Sequence, residues 1–209
     1  MQAVRQKPRR NGRCGGDHRT YKRSETKEEE SMYISEVRNQ APKDPRGKLE
    51  RMMYDTLEKL NIPYQQVDND PAASMEECAR IDEVIGTQIR KNVFLCNQKK
   101  TTFFLLVMPA DKPLKHLNSA KSWAFPGCPL PPSEKMLEHL GTTPGSASVA
   151  GLLMDEDDYV QVIIDKEVAE AEWFGCNPGI NTSHLKFKTK DLLQKFLPAI
   201  HHRARIVDL

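Results

Sequence analysis

Residues 89–109, IRKNVFLCNQKKTTFFLLVMP, constrain the fold more than any other stretch of this chain. Val93, Phe94, Leu95 and Cys96 form one apolar run, and Phe103 through Met108 form a second. Between them lies the polar Asn97-Gln98-Lys99-Lys100-Thr101, a length suited to a β-hairpin connection. The second run is apolar at consecutive positions, hence on both faces of the pleat, which calls for a central strand covered on both sides. Directly before the first run stands Lys91-Asn92. By residue type alone, a cation at the mouth of a buried hairpin is either a solvated strand end or a placed functional group.

The flanking sequence supplies what such a hairpin needs to pack against. Leu49, Met52, Met53, Leu57 and Leu60 recur at the spacing of one amphipathic helix beginning near Gly47. Tyr64 to Asp68 reads as a short strand, and Asn69-Asp70-Pro71 as a turn. Ser74 followed three residues later by Glu77 is a capping-box pattern, predicting a helix to Ile85 closed by Gly86. Beyond Met108, a connection rich in Pro, Lys and Gly runs to Pro132, with one helical turn expected around 114–121. Ser133 is expected to cap a helix through Leu140, stopped by Gly141. A small-residue loop, 143–148, leads into Val149 to Met154 and an acidic turn, Asp155 to Asp158.

The remainder predicts a strand at Tyr159 to Asp165, a short helix from Lys166 to Glu172 and a turn-rich loop over 173–179. Asn181 to Lys188 alternates like a half-exposed strand, with His184 on its polar, exposed face. Thr189 should cap a last helix to Ile200, leaving a charged tail. Strands and helices interleave, yet the hairpin excludes a purely parallel sheet. The expected fold class is α+β: a single domain over 46–209, its mixed, mostly antiparallel sheet flanked by helices. Residues 1–45 are polar, charged and without apolar periodicity, and read as a disordered N-terminal extension. That extension is either an arm touching nucleic acid or acidic partners, or dispensable.

Composition then excludes several function classes. A net charge of +2 over 209 residues is not that of a polycation built for duplex binding. Five dispersed cysteines without a Cys-x-x-Cys pair argue against a disulfide scaffold and a structural zinc site, and Cys78 and Cys96 read as small core residues. His201-His202 has no carboxylate or thiol at useful spacing, so no metal site is expected. No segment nears the ~18 apolar residues of a membrane span, and the N-terminus lacks a secretory core. A cytoplasmic protein is expected. Nucleotide-binding glycine loops, zinc-protease motifs and the Gly-x-Ser-x-Gly elbow are absent.

Taken singly the remaining loops are weak signals; their order is specific. Lys91-Asn92-Val93-Phe94-Leu95, Phe104 to Pro109, Pro144-Gly145-Ser146 and Asn177-Pro178-x-x-Asn181-Thr182 follow one another as in YbaK-like prolyl-tRNA editing domains. The chain resembles this family over 47–209, nearest its free-standing deacylase branch, related to bacterial PrdX and the prolyl-tRNA synthetase associated domain. The resemblance implies hydrolysis, in trans and without cofactor or metal, of alanine esterified to proline tRNA. Its partners would be that mischarged tRNA and, as a second candidate, prolyl-tRNA synthetase. Lys91 and Asn92 would be the catalytic pair. Gly145 and Ser146 would offer backbone donors beside the terminal adenosine, with Asn177, Asn181 and Ser74 completing substrate binding. The chain departs from the pattern in four places: Asn177 and Asn69 stand where the family commonly has histidine, Val149 stands where the glycine loop commonly continues to proline, and the region before Phe125 matches loosely. Asparagine hydrogen-bonds but takes up no proton near neutral pH. A catalytically weakened, tRNA-binding paralogue is therefore the alternative reading.

Overall fold

The computed structural model describes residues 32–44, 46–72, 75–113 and 129–209. Ser74, the expected helical turn at 114–121 and the extension up to residue 31 lie outside the described residues. The described residues form seven strands: β1 (Tyr64–Asp68), β2 (Lys91–Cys96), β3 (Phe103–Met108), β4 (Val160–Asp165), β5 (Trp173–Cys176), β6 (Ser183–Lys188) and β7 (Ala204–Val207). The α-helices are α1 (Lys48–Lys59), α2 (Met75–Ile85), α3 (Ser133–Leu140) and α4 (Lys166–Glu170), followed by a C-terminal helix over 189–199 with a π-helical middle, Leu192–Phe196. Val149–Met154 is a 3-10 turn.

The strands divide into two sheets rather than one. A mixed sheet runs β2-β3-β4-β7, with β2 antiparallel to β3 and the other pairs parallel; an antiparallel sheet runs β1-β6-β5. As the double-sided apolar run requires, β3 is central. Leu105 and Val107 enter the main core with α1 and the C-terminal helix, while Leu106 and Met108 pack on the other face with Val93, Leu95, Ile163 and Val207. The hairpin register pairs Lys91 with Met108 and Cys96 with Phe103. No helix among the described residues is long and apolar enough to cross a membrane.

Several expectations change. Residues 32–44, placed by composition in the extension, belong to the folded unit, which spans 32–209. Ser35 N–H donates to Asp68 O at 2.8 Å, Arg38 and Gln66 exchange backbone bonds of 2.9 and 2.8 Å, and Arg38 pairs with Asp68 at 2.9 Å. Backbone pairing along the free edge of β1 holds this segment, so it leaves little apolar signature. Residues 173–176 form β5 rather than loop, and the tail forms β7 against β4. His202, expected in that tail without a carboxylate nearby, is 1% exposed and lies 2.9 Å from Asp158 and 3.7 Å from Asp155. The two oxygens of Asp155 already accept the backbone N–H groups of Tyr159 and Val160, so this cluster closes the acidic turn over the last strand. Neither Ser133 nor Thr189 caps its helix by side chain; each is the first helical residue.

Just ahead of β2, the chain joins the second sheet through the backbone of Gly175 in β5. Ile89 bridges Gly175, and Arg90 N–H donates to Gly175 O at 2.9 Å. A Cβ at position 175 would lie 2.7 Å from the carbonyl oxygen of Gln88, closer than two such atoms can approach. Only glycine admits this junction, two residues before Lys91. Gly175→Ala is expected to cost roughly 1–3 kcal/mol of stability in urea denaturation.

Candidate functional site

A cavity of about 580 Å³ opens where the two sheets meet. Its walls include Cys78, Ala79, Ile81 and Asp82 from α2, the segment from Gln88 to Phe94, the Pro144-Gly145 turn, and Asn177, Asn181 and His184. The register of β2 leaves Lys91 and Asn92 half-buried at the start of the strand while Val93 to Cys96 enter the core. The sequence-predicted residues Lys91, Asn92, Gly145, Asn177 and Asn181 are thus brought together.

Lys91 is held from an unexpected direction. Its Nζ donates to the carbonyl of Lys112 at 2.8 Å, and Lys112 Nζ in turn contacts Asp165 at 2.9 Å and Glu167 at 2.6 Å. The Asp165 side chain is fully buried at the end of β4 and also caps α4 through Glu167 N–H. Burial opposes the charge on Lys112, and its bonds to Glu167 and Asp165 outweigh that, holding its pKa above the ordinary lysine value. Asn92 donates to Arg90 O at 3.0 Å, and its Oδ1 is buried without a partner among the described residues. Lys91 is thus tied to the backbone of the Lys112 segment, which the buried Asp165 at the end of β4 holds in turn.

The glycine loop and the late loop brace each other. Gly145 has φ of 94° and faces open space, so its backbone can be approached closely. Ser146 does not line the cavity, and its N–H, expected to be offered to substrate, already donates to Thr143 O at 3.0 Å. Ser148, which sequence reasoning passed over, ties the loops together by donating from Oγ to Asn177 O. The Asn177 side chain accepts from Gly179 N–H at 2.9 Å and reaches Ala147 O at 3.5 Å. Asn177 thus shapes the wall by holding backbone.

Two further polar residues line the cavity, His184 and Asp82. His184 is 7% exposed rather than solvated, because β6 lies between β1 and β5 and its ring packs toward Asn69 at 2.8 Å. Asp82 accepts the backbone N–H of Ile89 at 2.8 Å, and burial pushes its pKa up to about 6. Cys78 is half-buried on the wall rather than in the core; burial raises its pKa, keeping the thiol protonated. For Asp82 the available signal was helical periodicity, since it lies four residues after Cys78 and three before Ile85; no local pattern marked His184.

The described residues thus form an α+β domain in which a lysine and polar side chains line one largely apolar cavity. The comparisons make the class particular. A sequence model described as the aminoacyl-tRNA editing domain matches residues 69–195, well over half of the chain. The chain belongs to that family. It is 25% identical over 153 residues to the prolyl-tRNA editing protein ProX of Acetoanaerobium sticklandii, covering 73% of this chain and 93% of that one. It is 26% identical over 164 residues to the prolyl-tRNA synthetase associated domain-containing protein 1 of Danio rerio, covering 78% and 86%. Among solved structures, one described as a putative trans-editing enzyme for prolyl tRNA synthetase shares the fold at TM-score 0.54 and 15% identity, covering 78% and 97%. A protein described as hypothetical does so at TM-score 0.52 and 14% identity, covering 72% and 94%.

Two measurements follow from the site's electrostatics. Lys112→Met leaves the buried Asp165 carboxylate without its cation, and should cost roughly 3 kcal/mol in chemical denaturation. Asp82 binds its proton more tightly folded than unfolded, since about 6 exceeds the ordinary value of about 3.9. Its ionisation therefore weakens the fold as pH rises through that window. Asp82→Asn should melt higher than wild type at pH 7.5, with the gap closing below pH 4, by calorimetry at both pH values.

Proposed function

We propose that this chain hydrolyses, in trans, the ester of mischarged proline tRNA, with alanine as the amino acid removed. The observation that carries this reading is the convergence of Lys91, Asn92 and Gly145 on one largely apolar cavity in a chain of the aminoacyl-tRNA editing family. Water adds to the ester carbonyl carbon, the bond to the ribose 3′ oxygen breaks, and a proton from the water passes to that oxygen. Free amino acid and tRNA result. Lys91 supplies a cation at the rim, suited to a terminal phosphate or to the charge growing on the ester oxygens. Asn92 contributes a hydrogen-bonding amide beside it. An aminoacyl ester is already activated, so positioning a water and the carbonyl in a closed site supplies much of the rate.

The wall chemistry bears on the amino acid. Cys78, Ala79, Ile81 and Val93 give a small side chain apolar contact. Size alone discriminates by only about 1–3 kcal/mol per methylene, which is why a second, hydrolytic sieve is useful after aminoacylation.

A second reading, a tRNA-binding paralogue without turnover, draws on one observation: the Asn177 side chain is engaged by Gly179 and Ala147 rather than free for proton transfer. One assay separates the two. Wild type is expected to deacylate alanyl-tRNA for proline, and Lys91→Ala to lower kcat/KM by roughly 100- to 1,000-fold. Bound tRNA without turnover in wild type selects the second reading, and undiminished turnover in Lys91→Ala removes Lys91 from the mechanism.

A further inference from the structure

The following rests on reading the cavity as an aminoacyl-ester site. Among the described residues that line it, His184 carries the one imidazole. Its Nδ1 lies 2.8 Å from Asn69 Oδ1. Asn69 Nδ2 donates to the carbonyls of Asp70 at 2.8 Å and Asn181 at 3.1 Å, so the amide orientation is fixed with its oxygen toward the ring. An amide oxygen only accepts. Nδ1 therefore carries the ring proton, and Nε2 presents a lone pair. Burial pushes the His184 pKa down to about 4, so the ring stays neutral near pH 7.

A neutral imidazole locked in this tautomer is a hydrogen-bond acceptor rather than an acid. Asn69 is 4% exposed and itself tied to the Asn181 loop, so the assignment is built into the fold rather than left to solvent. An aminoacyl ester brings few donors to such a group. Of these, the α-amino group is the one that distinguishes it from other acyl esters, and in its protonated form it makes the stronger, charge-assisted bond. We propose that His184 Nε2 is the acceptor for the α-amino group of the bound aminoacyl ester, with Asn69 as the positioning residue that fixes the tautomer. The cavity would then recognise the acyl group by two separate features: apolar contact for its side chain, and an acceptor for its nitrogen.

The test compares alanyl-tRNA with lactyl-tRNA, which carries a hydroxyl in place of the α-amino group, using wild type, His184→Phe and Asp82→Asn. Wild type is expected to prefer the alanyl ester by about 10- to 100-fold in kcat/KM, the range of a hydrogen bond to a charged group. His184→Phe should lose that preference to within about threefold, while Asp82→Asn should keep it. Preference retained in His184→Phe, or lost in Asp82→Asn alone, overturns the proposal and in the second case moves the amino group to Asp82. Equal rates for the two esters in wild type overturn the subsite and leave the deacylase reading standing; no turnover of either overturns both. Because phenylalanine in a buried strand could prevent folding, wild type carries a second readout by 15N NMR. A non-hydrolysable 3′-alanylamido adenosine should shift the His184 Nε2 resonance, and its N-acetylated form should not. An Nε2 resonance unmoved by the free amine overturns the proposal.

Discussion

The burial of β3 on both faces is the constraint on which everything else depends. A strand whose consecutive side chains must all leave water needs a layer on each side and a neighbour on each edge. Here β2 and β4 take the edges, α1 and the C-terminal helix cover one face, and a smaller apolar cluster forms on the other. The site is a by-product of that demand. Once β2 is fixed in register beside β3, its first two residues, Lys91 and Asn92, must emerge where the apolar layer ends.

The cavity is assembled from elements far apart in the chain, and its polar residues mostly hold one another. Asp165 fixes Lys112, and Lys112 meets Lys91; Ser148 fixes the Asn177 turn; Asn69 fixes both His184 and the Asn181 loop. Such chains keep donors and acceptors aimed before any ligand arrives, so little reorganisation is left for the moment of reaction. They also explain why residues that never touch a ligand matter to its placement.

Much of this was legible in the sequence, for a physical reason. Apolar periodicity reports burial, so α1, β1, the β2–β3 hairpin and β4 could be read directly. What periodicity misses is pairing that needs no apolar side chains. Residues 32–44 and β7 join their sheets through backbone bonds, so composition alone places them in an extension and a tail. Polar burial is equally hidden: nothing local marks His184 as enclosed, because its partner Asn69 lies 115 positions away in the chain. The loop motifs identified Lys91, Asn92, Gly145 and Asn181 as cavity residues, but not that Ser146 N–H closes its own turn or that Asn177 braces backbone.

The segment from Ile34 to Arg38 has one further consequence. Without it, β1 would be the outer strand of its sheet, presenting a row of unsatisfied amides and carbonyls to any other extended chain. A few polar residues laid along that edge make it unavailable, and the Arg38–Asp68 pair adds charge where a foreign strand would have to dock. Residues 34–38 thus occupy backbone groups along the β1 edge that an extended chain would otherwise find open, at a place apart from the lining of the cavity.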